Sequence, residues 1–308
     1  MERSIFQRKR NVVLLAIFYT FLWGCAFPLV KLCMEGFGAV NNSSKYFVAG
    51  IRFMLSGFGL LIYCAFKEKD GIKLQRQQVK YVLLYGGLGV FLQYGLTYIG
   101  LSNLDGSKGA VFDQLCVFIV ILTSGMFFKN DRLNVAKIIG CIVGFLGILT
   151  ISTDGFSFSF AIKAEGVMIS AAICQAVVYF VSKASCTQIS GCKMIGWGQF
   201  LGGAAMIVFS LLFGIEPLQI NFQGVASLIM LSIISAVAYV LSLVPLKYFP
   251  ASEISVFNLL ITVFGVIMSA LLLGENVFRW NYLISITLIS LGIIMVNMKN
   301  DYIGKKSG

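Results

Sequence analysis

Apolar runs recur along the whole chain, and they constrain the fold more than any other feature of the sequence. Each is about 20 residues long, the length that an α-helix needs to cross roughly 30 Å of hydrocarbon. The 308 residues are 58% hydrophobic and only 12% charged, with a mean hydropathy of +0.88. We therefore expect an all-α polytopic membrane protein with ten transmembrane helices, near 11–31, 46–66, 81–101, 109–128, 136–153, 164–183, 194–214, 224–246, 253–273 and 280–298.

The distribution of lysine and arginine predicts the orientation of these helices. With ten spans, both termini lie on the same side of the membrane. Eighteen Lys and Arg residues fall at helix ends on that side and five on the other, and positive residues are enriched in cytoplasmic loops. We expect a multi-pass protein of the inner or plasma membrane with cytoplasmic N- and C-termini. The net charge of +11 then reflects topology and lipid headgroups, not nucleic acid.

Several kinds of chemistry are absent from the sequence. The chain has no histidine, and its eight cysteines form no C-x-x-C pair, so no metal site is expected. Glycine-rich stretches lie only inside apolar runs. Because a nucleotide-binding loop is a glycine-rich loop that contacts phosphates, none is expected in this sequence. We expect no catalytic residue and no cofactor. A polytopic membrane enzyme and a passive channel stay open as alternatives to a transporter.

The chain also resembles itself at an offset of 145 residues. The stretch YGLTYIGLSNLDGSKGAVFD (94–113) aligns without gaps on YVLSLVPLKYFPASEISVFN (239–258), and FLGILTIS (145–152) aligns on SLGIIMVN (290–297). Two halves of five helices, 1–153 and 154–308, follow from this repeat. Because five is odd, the second half enters the membrane upside down, which predicts an inverted repeat around a central cavity.

Three short motifs carry a resemblance to a known family. WGCAFPLVK (23–31) in the first span, RF (52–53) in the second and LLLGEN (271–276) after the ninth resemble the EamA family of the drug/metabolite transporter superfamily. This resemblance implies a secondary transporter of small organic metabolites, often an exporter, with five-helix EamA-like repeats at 1–153 and 154–308. Possible partners are then a small-molecule substrate, protons and the lipid bilayer, while both a monomer and a homodimer stay open.

Ionisable groups inside spans are the first candidates for function, because each costs roughly 2.5–3.5 kcal/mol to insert. Arg52 and Asp113 lie at similar depths. They either form a structural ion pair, or act on substrate, with Arg52 holding a carboxylate and Asp113 taking up a proton or an ammonium group. On a continuous helix Asp113 shares a face with Val117, while Gln114 lies about 100° away, so Asp113 is favoured over Gln114.

Aromatic and amide side chains inside the spans complete the predicted substrate site, and an amino acid is the favoured kind of substrate. Hydrogen bonding between helices explains the amides equally well. The predicted substrate-binding residues are Trp23, Phe27, Arg52, Gln93, Tyr94, Asp113, Gln175, Tyr179, Tyr239 and Asn258.

Two residues of the first span are predicted to act in gating. Pro28 removes a backbone hydrogen bond and crowds the carbonyl four residues earlier, where Gly24 leaves most room. We expect the first helix to bend there and to gate one side of the cavity. Lys31 lies near the end of this span, where its side chain can extend to the headgroups.

Overall fold

The computed structural model describes residues 9–68, 70–127, 134–151, 153–154, 157–158, 160–248, 256–277 and 280–297. Almost all of these residues are helical. The elements are α1 (Lys9–Phe37), α2 (Asn42–Lys67), α3 (Arg76–Leu84), a π-helix (Tyr85–Tyr94), α4 (Gly95–Leu101), α5 (Gly106–Phe112), α6 (Leu115–Phe127), α7 (Val135–Ile151), a π-helical turn (Ile162–Gly166), α8 (Val167–Ser185), α9 (Gly191–Phe213), α10 (Phe222–Tyr248), a 3₁₀ turn (Val256–Asn258), α11 (Leu259–Leu273) and α12 (Trp280–Asn297). Two short strands, β1 (Thr153–Asp154) and β2 (Ser157–Phe158), pair antiparallel.

Among the described residues, seven helical segments are long and apolar enough to cross a membrane: Val13–Phe37, Asn42–Lys67, Arg76–Leu101, Gly106–Phe127, Ile162–Ser185, Gly191–Phe213 and Phe222–Pro245. Three shorter apolar helices are Val135–Gly147, Leu260–Leu273 and Trp280–Gly292. The prediction of a helical membrane protein is therefore confirmed. Of the predicted spans, residues 128, 152, 253–255 and 298 lie outside the described part of the chain.

The third membrane helix begins five residues earlier than predicted, at Arg76 instead of residue 81. The Gln78 side chain accepts a hydrogen bond from the Gln75 backbone and donates another to the Gln188 carbonyl. These bonds cap the start of the helix. The polar residues 76–80, which were predicted to precede the span, are therefore helical. The middle of the same helix, Tyr85–Tyr94, is a π-helix, a conformation that often occurs at functional sites.

The fourth membrane helix, Gly106–Phe127, covers the predicted span, but it is irregular at Asp113 and Gln114. α5 ends at Phe112 and α6 begins at Leu115. Around this break the backbone amides of Gln114, Cys116 and Val117 bond to the carbonyl three residues earlier, which tightens the chain into a 3₁₀-like turn. The predicted angular relation between Asp113, Gln114 and Val117 assumed regular α-helix and does not apply here.

α2 and α9 pack against each other through glycine. A Cβ added to Gly57 would lie 2.4 Å from the Phe200 backbone nitrogen, and one added to Gly203 would lie 2.7 Å from the Gly50 carbonyl oxygen. Lipid tails are as apolar as the helices, so helix association in a membrane depends on such close packing. Gly59, two residues beyond Gly57, has open space around it.

The two ends of the bundle are marked by different polar contacts. At one end, which we call the Lys31 end, the Lys45 ammonium donates to the Ser102 hydroxyl at 3.0 Å. At the other, which we call the Ser190 end, the Glu68 carboxylate accepts a hydrogen bond from the Ser190 hydroxyl.

α1 runs without interruption through Pro28, and Gly24 lies where α1 meets α11. A Cβ on Gly24 would lie 2.5 Å from the Phe264 Cβ and 2.9 Å from the Gly265 backbone nitrogen. Gly24 is thus a packing residue in this structure. Its predicted role in gating stays a prediction, as does that of Pro28.

The glycine contact between α2 and α9 predicts that Gly57→Ala destabilises the protein. The added methyl group meets backbone atoms that cannot rotate away, and overpacking of this kind costs about 1–3 kcal/mol. Thermal unfolding of the purified protein should show a lower midpoint. Gly59→Ala is the matched control, because the same change two residues along faces open space; equal midpoints for the two variants would contradict the prediction.

Candidate functional site

One cavity of about 110 Å³ lies between α1, α2, the π-helix, α4, the turn between α5 and α6, α8, α10 and the start of α11. Organic ligands usually bind in concave sites that combine apolar and aromatic side chains with a few polar groups. All ten residues predicted to bind substrate line it: Trp23, Phe27, Arg52, Gln93, Tyr94, Asp113, Gln175, Tyr179, Tyr239 and Asn258. Other lining residues include Tyr19, Tyr85, Thr97, Leu101 and Ser182.

Aromatic rings form one wall of the cavity. Trp23 packs edge-on against Tyr239 with ring centroids 4.5 Å apart, and it stacks on Tyr94 at 6.4 Å. The Tyr239 hydroxyl donates to the Tyr94 hydroxyl at 2.5 Å, and Tyr85 meets the Tyr239 ring edge-on at 5.8 Å. The wall therefore offers apolar faces together with hydroxyl groups, which suits a ligand that is partly apolar and partly polar.

Arg52 is fully buried beside this wall. Its Nε donates to the Ser235 hydroxyl at 2.9 Å, and its Nη1 donates to the Tyr98 hydroxyl at 3.2 Å. The guanidinium carbon lies 4.7 Å from the Phe53 ring centre and 5.5 Å from that of Tyr94. Its Nη2 has no hydrogen-bond partner in the part of the chain that the structure describes. The lining of the cavity thus includes a guanidinium whose Nη2 is unbonded.

A second layer of polar contacts fixes the position of Ser235. The Gln199 amide donates to the Ser235 backbone carbonyl at 3.3 Å, and the Gln199 oxygen accepts from the Ser56 hydroxyl at 2.5 Å. Gln199, Ser235 and Ser56 are all buried. Arg52 is therefore hydrogen-bonded directly to Ser235 of α10, and Ser235 is in turn hydrogen-bonded to Gln199 of α9.

Asp113 lies at the break between α5 and α6 and lines the same cavity. It forms no ion pair with Arg52, although the structure describes both residues, so the interpretation as a structural pair is wrong for this conformation. Gln175 of α8 lines the same cavity as Asp113. On the far wall, Asn258 accepts a hydrogen bond from the Tyr19 hydroxyl at 3.3 Å.

Burial differs between the two ends of the cavity. Lining residues near the Lys31 end are buried: Ala26, Phe27, Val30, Thr97 and Leu101. Lining residues nearer the Ser190 end include several that are half-buried: Tyr179, Tyr239, Ser242, Leu243 and Asn258. Within the described part of the chain, the cavity is therefore closed at the Lys31 end, and its accessible lining lies toward the Ser190 end.

Sequence reasoning missed one polar residue next to this closed end. Glu275 accepts hydrogen bonds from the backbone amides of Gly106 and Ser107 and lies 3.6 Å from the Lys31 ammonium. Lys31 was expected to extend to the headgroups, but it is paired with this carboxylate. The LLLGEN motif contains Glu275, yet the sequence gives no sign of its distant partners.

Metal binding has no support in the geometry. Among the described residues, no group of three or more His, Cys, Asp or Glu side chains could hold a metal ion. The chemistry that the cavity offers is recognition through one guanidinium, one carboxylate, three amides and several aromatic rings.

Comparison with known proteins supports a transport function. The chain is 26% identical over 306 residues to the uncharacterized transporter YvbV of Bacillus subtilis (strain 168), a match that covers 95% of this chain and 93% of that protein. It is 22% identical over 282 residues to an S-adenosylmethionine/S-adenosylhomocysteine transporter of Chlamydia muridarum (strain MoPn / Nigg), covering 86% and 85%. Both of these relatives are thus named as transporters.

The fold and the sequence family agree over nearly the full length. A crystal structure with 17% sequence identity superposes with a TM-score of 0.69 and covers 94% of this chain and 98% of its own, a likeness of fold alone. The model of the EamA-like transporter family matches residues 10–153 and again residues 162–298. The chain is a multi-pass membrane protein that belongs to the EamA-like transporter family.

Proposed function

We propose that this chain is a secondary active transporter, working as an exporter, for small amphipathic organic metabolites such as amino acids. It acts by alternating access, with the cavity facing one side of the membrane and then the other. The observation that carries the proposal is the cavity itself, which lies between the two family matches and is lined by residues of both. Residues 1–153 and 154–308 are the two proposed halves.

The Tyr94–Tyr239 hydrogen bond supports an inverted repeat. These two residues occupy equivalent positions at the offset of 145 found in the sequence, and their hydroxyl oxygens are 2.5 Å apart. In a twofold arrangement, a residue that contacts its own equivalent lies on the axis. The position of the pair in the cavity wall is therefore what a pseudo-twofold axis through the cavity would produce.

Helix packing agrees with the same axis. Within the described part of the chain, the most extensive helix contacts join α2 to α9 and α7 to α12, which are the second and fifth helices of one proposed half and their equivalents in the other. Contacts between equivalent elements recur along a twofold axis. An inverted repeat around a central site is the architecture that many secondary transporters use for alternating access.

The charged groups of the cavity suggest how a zwitterion binds. The free Nη2 of Arg52 suits a carboxylate, because a charge-assisted hydrogen bond to a buried partner is strong. The Asp113 carboxylate suits an ammonium group or a proton. S-adenosylmethionine and S-adenosylhomocysteine both carry an α-amino acid group and an aromatic base, so they belong in the same class of candidate substrates for this chain.

The proposed direction follows from the closed end and from the charge distribution. The excess of lysine and arginine favours a cytoplasmic location for both termini and for the Ser190 end. The cavity then faces the cytoplasm in this conformation, where an exporter loads its substrate. We infer the inner or plasma membrane as the site of action.

We expect Asp113→Asn to abolish transport driven by a pH gradient in proteoliposomes. An amide cannot take up a proton, but it has nearly the same shape, so the fold should be retained. Asp105→Asn is the matched control, because Asp105 is exposed and its side chain does not cap α5. Unchanged pH-driven transport by Asp113→Asn would remove the proton role, while the alternating-access proposal would stand.

We expect Arg52→Lys to weaken binding of amino acids about 10- to 100-fold, since charge-assisted hydrogen bonds contribute about 1.5–3 kcal/mol. Ligands that bind the folded state raise its melting temperature. A thermal-shift screen with amino acids, polyamines, purines, sugars and S-adenosyl compounds identifies the ligands of the parent protein.

Each stabilising amino acid is then compared with the amine that remains after its decarboxylation. Loss of the carboxylate should reduce the thermal shift in the parent protein but change little in Arg52→Lys. If the amine and the amino acid stabilise the parent equally, Arg52 does not bind a carboxylate.

A further inference from the structure

The closed end of the cavity is held by a carboxylate that does not line it. We propose that Glu275 is a gating residue: it holds α5 against the cavity in this conformation, and it must release α5 before the cavity opens at the Lys31 end. The proposal rests on the alternating-access function proposed above. Glu275 is thus a positioning residue that acts through α5 and does not touch substrate.

Glu275 supplies the bonds that α5 lacks at its start. One carboxylate oxygen accepts from the Gly106 amide at 2.8 Å, and the other accepts from the Ser107 amide at 3.0 Å and the Ser107 hydroxyl at 2.6 Å. The first amides of a helix have no partner within it, and a negative charge is favourable there. These partners lie 168 and 169 residues away in sequence, so the contact joins the two proposed halves.

Lys31 adds α1 to the same contact. Its ammonium lies 3.6 Å from the Glu275 carboxylate and donates to the Leu104 carbonyl at 3.2 Å. The side chains of Lys31 and Glu275 are 21% and 13% exposed, so solvent screens the ion pair only in part. Three segments therefore meet at one carboxylate: the end of α1, the start of α5 and the segment between α11 and α12.

α5 passes this restraint on to the cavity. A Cβ added to Gly109 would clash with Leu101 Cδ2 and would lie 3.8 Å from Phe27 Cδ1, so α5 packs closely on Leu101 and lies near Phe27, both of which line the cavity. Asp113 follows the last residue of α5. A shift of this seven-residue helix would therefore move the closed end and the Asp113 carboxylate together.

The carboxylate at the other end of the bundle differs in what it joins. Glu68 pairs with the Lys193 ammonium at 3.1 Å and accepts from the Ser190 hydroxyl. These contacts connect the end of α2 to the start of α9, and those two helices already pack tightly through glycine. None of the three residues lines the cavity. Glu68 thus strengthens a fixed contact, while Glu275 restrains a short helix that covers the cavity.

The proposal is tested by thiol labelling at the closed end. Val30→Cys is introduced into a variant in which the eight native cysteines are replaced by alanine. Val30 is 3% exposed and lines the cavity. A membrane-impermeant thiol reagent is added outside sealed vesicles that are oriented so that Lys108→Cys reacts and Ser190→Cys does not. The labelling rate then reports opening at the Lys31 end.

We expect Glu275→Gln to raise the labelling rate at position 30 roughly tenfold, because losing one charge-assisted hydrogen bond shifts a two-state equilibrium by about that factor. Lys31→Gln leaves the bonds to α5 in place and should give a smaller rise. Glu216→Gln is the matched control, since Glu216 is an exposed carboxylate between α9 and α10, and it should leave the rate unchanged.

Two results would overturn the proposal. One is an unchanged labelling rate in both Glu275→Gln and Lys31→Gln. The other is an equal rise in labelling at position 30 and at buried positions far from the cavity, together with a lower melting temperature, which would make Glu275 a general stabilising contact. The labelling needs no substrate, so it is independent of whether any metabolite is transported.

Discussion

A buried guanidinium without a carboxylate beside it is the interaction around which the cavity is arranged. Arg52 is fully buried and forms no ion pair with any Asp or Glu that the structure describes. A charge at membrane depth is costly unless polar groups or aromatic faces compensate it. Ser235, Tyr98 and the rings of Phe53 and Tyr94 provide that compensation. One nitrogen, Nη2, has no hydrogen-bond partner among the described residues, and an anionic group of a ligand would satisfy it.

The groups that stabilise the charge of Arg52 come from several helices. Some of them are in turn held by polar residues that do not line the cavity. Ser235 belongs to α10, and its position depends on Gln199 of α9 and Ser56 of α2. Ser235, Gln199 and Ser56 do not line the cavity, but their hydrogen bonds position the guanidinium. A change at Gln199 would therefore reach a ligand only through Arg52.

Much of the site could be predicted from the sequence because membrane insertion makes polar residues conspicuous. Arg52, Asp113 and the amides stand out against apolar runs, and all ten predicted lining residues surround one cavity. The break at Asp113 was not predictable, because the sequence around it contains no proline and reads as regular helix. Glu275 was missed for a different reason: it lies at the edge of a span, where charge is ordinary, and its partners are about 170 residues away.

The Tyr94–Tyr239 hydrogen bond has a consequence for how the proposed halves exchange roles. In an inverted repeat, each contact made by one half in this conformation has an equivalent that the other half makes in the opposite conformation. When the two residues in contact are equivalent to each other, the same contact forms in both conformations. The change between conformations therefore does not require it to break. The hydrogen bond between the two hydroxyls, which are 2.5 Å apart, would then be retained while the helices around it move. A ligand that contacts these rings would keep that contact while the cavity changes from facing one side of the membrane to facing the other.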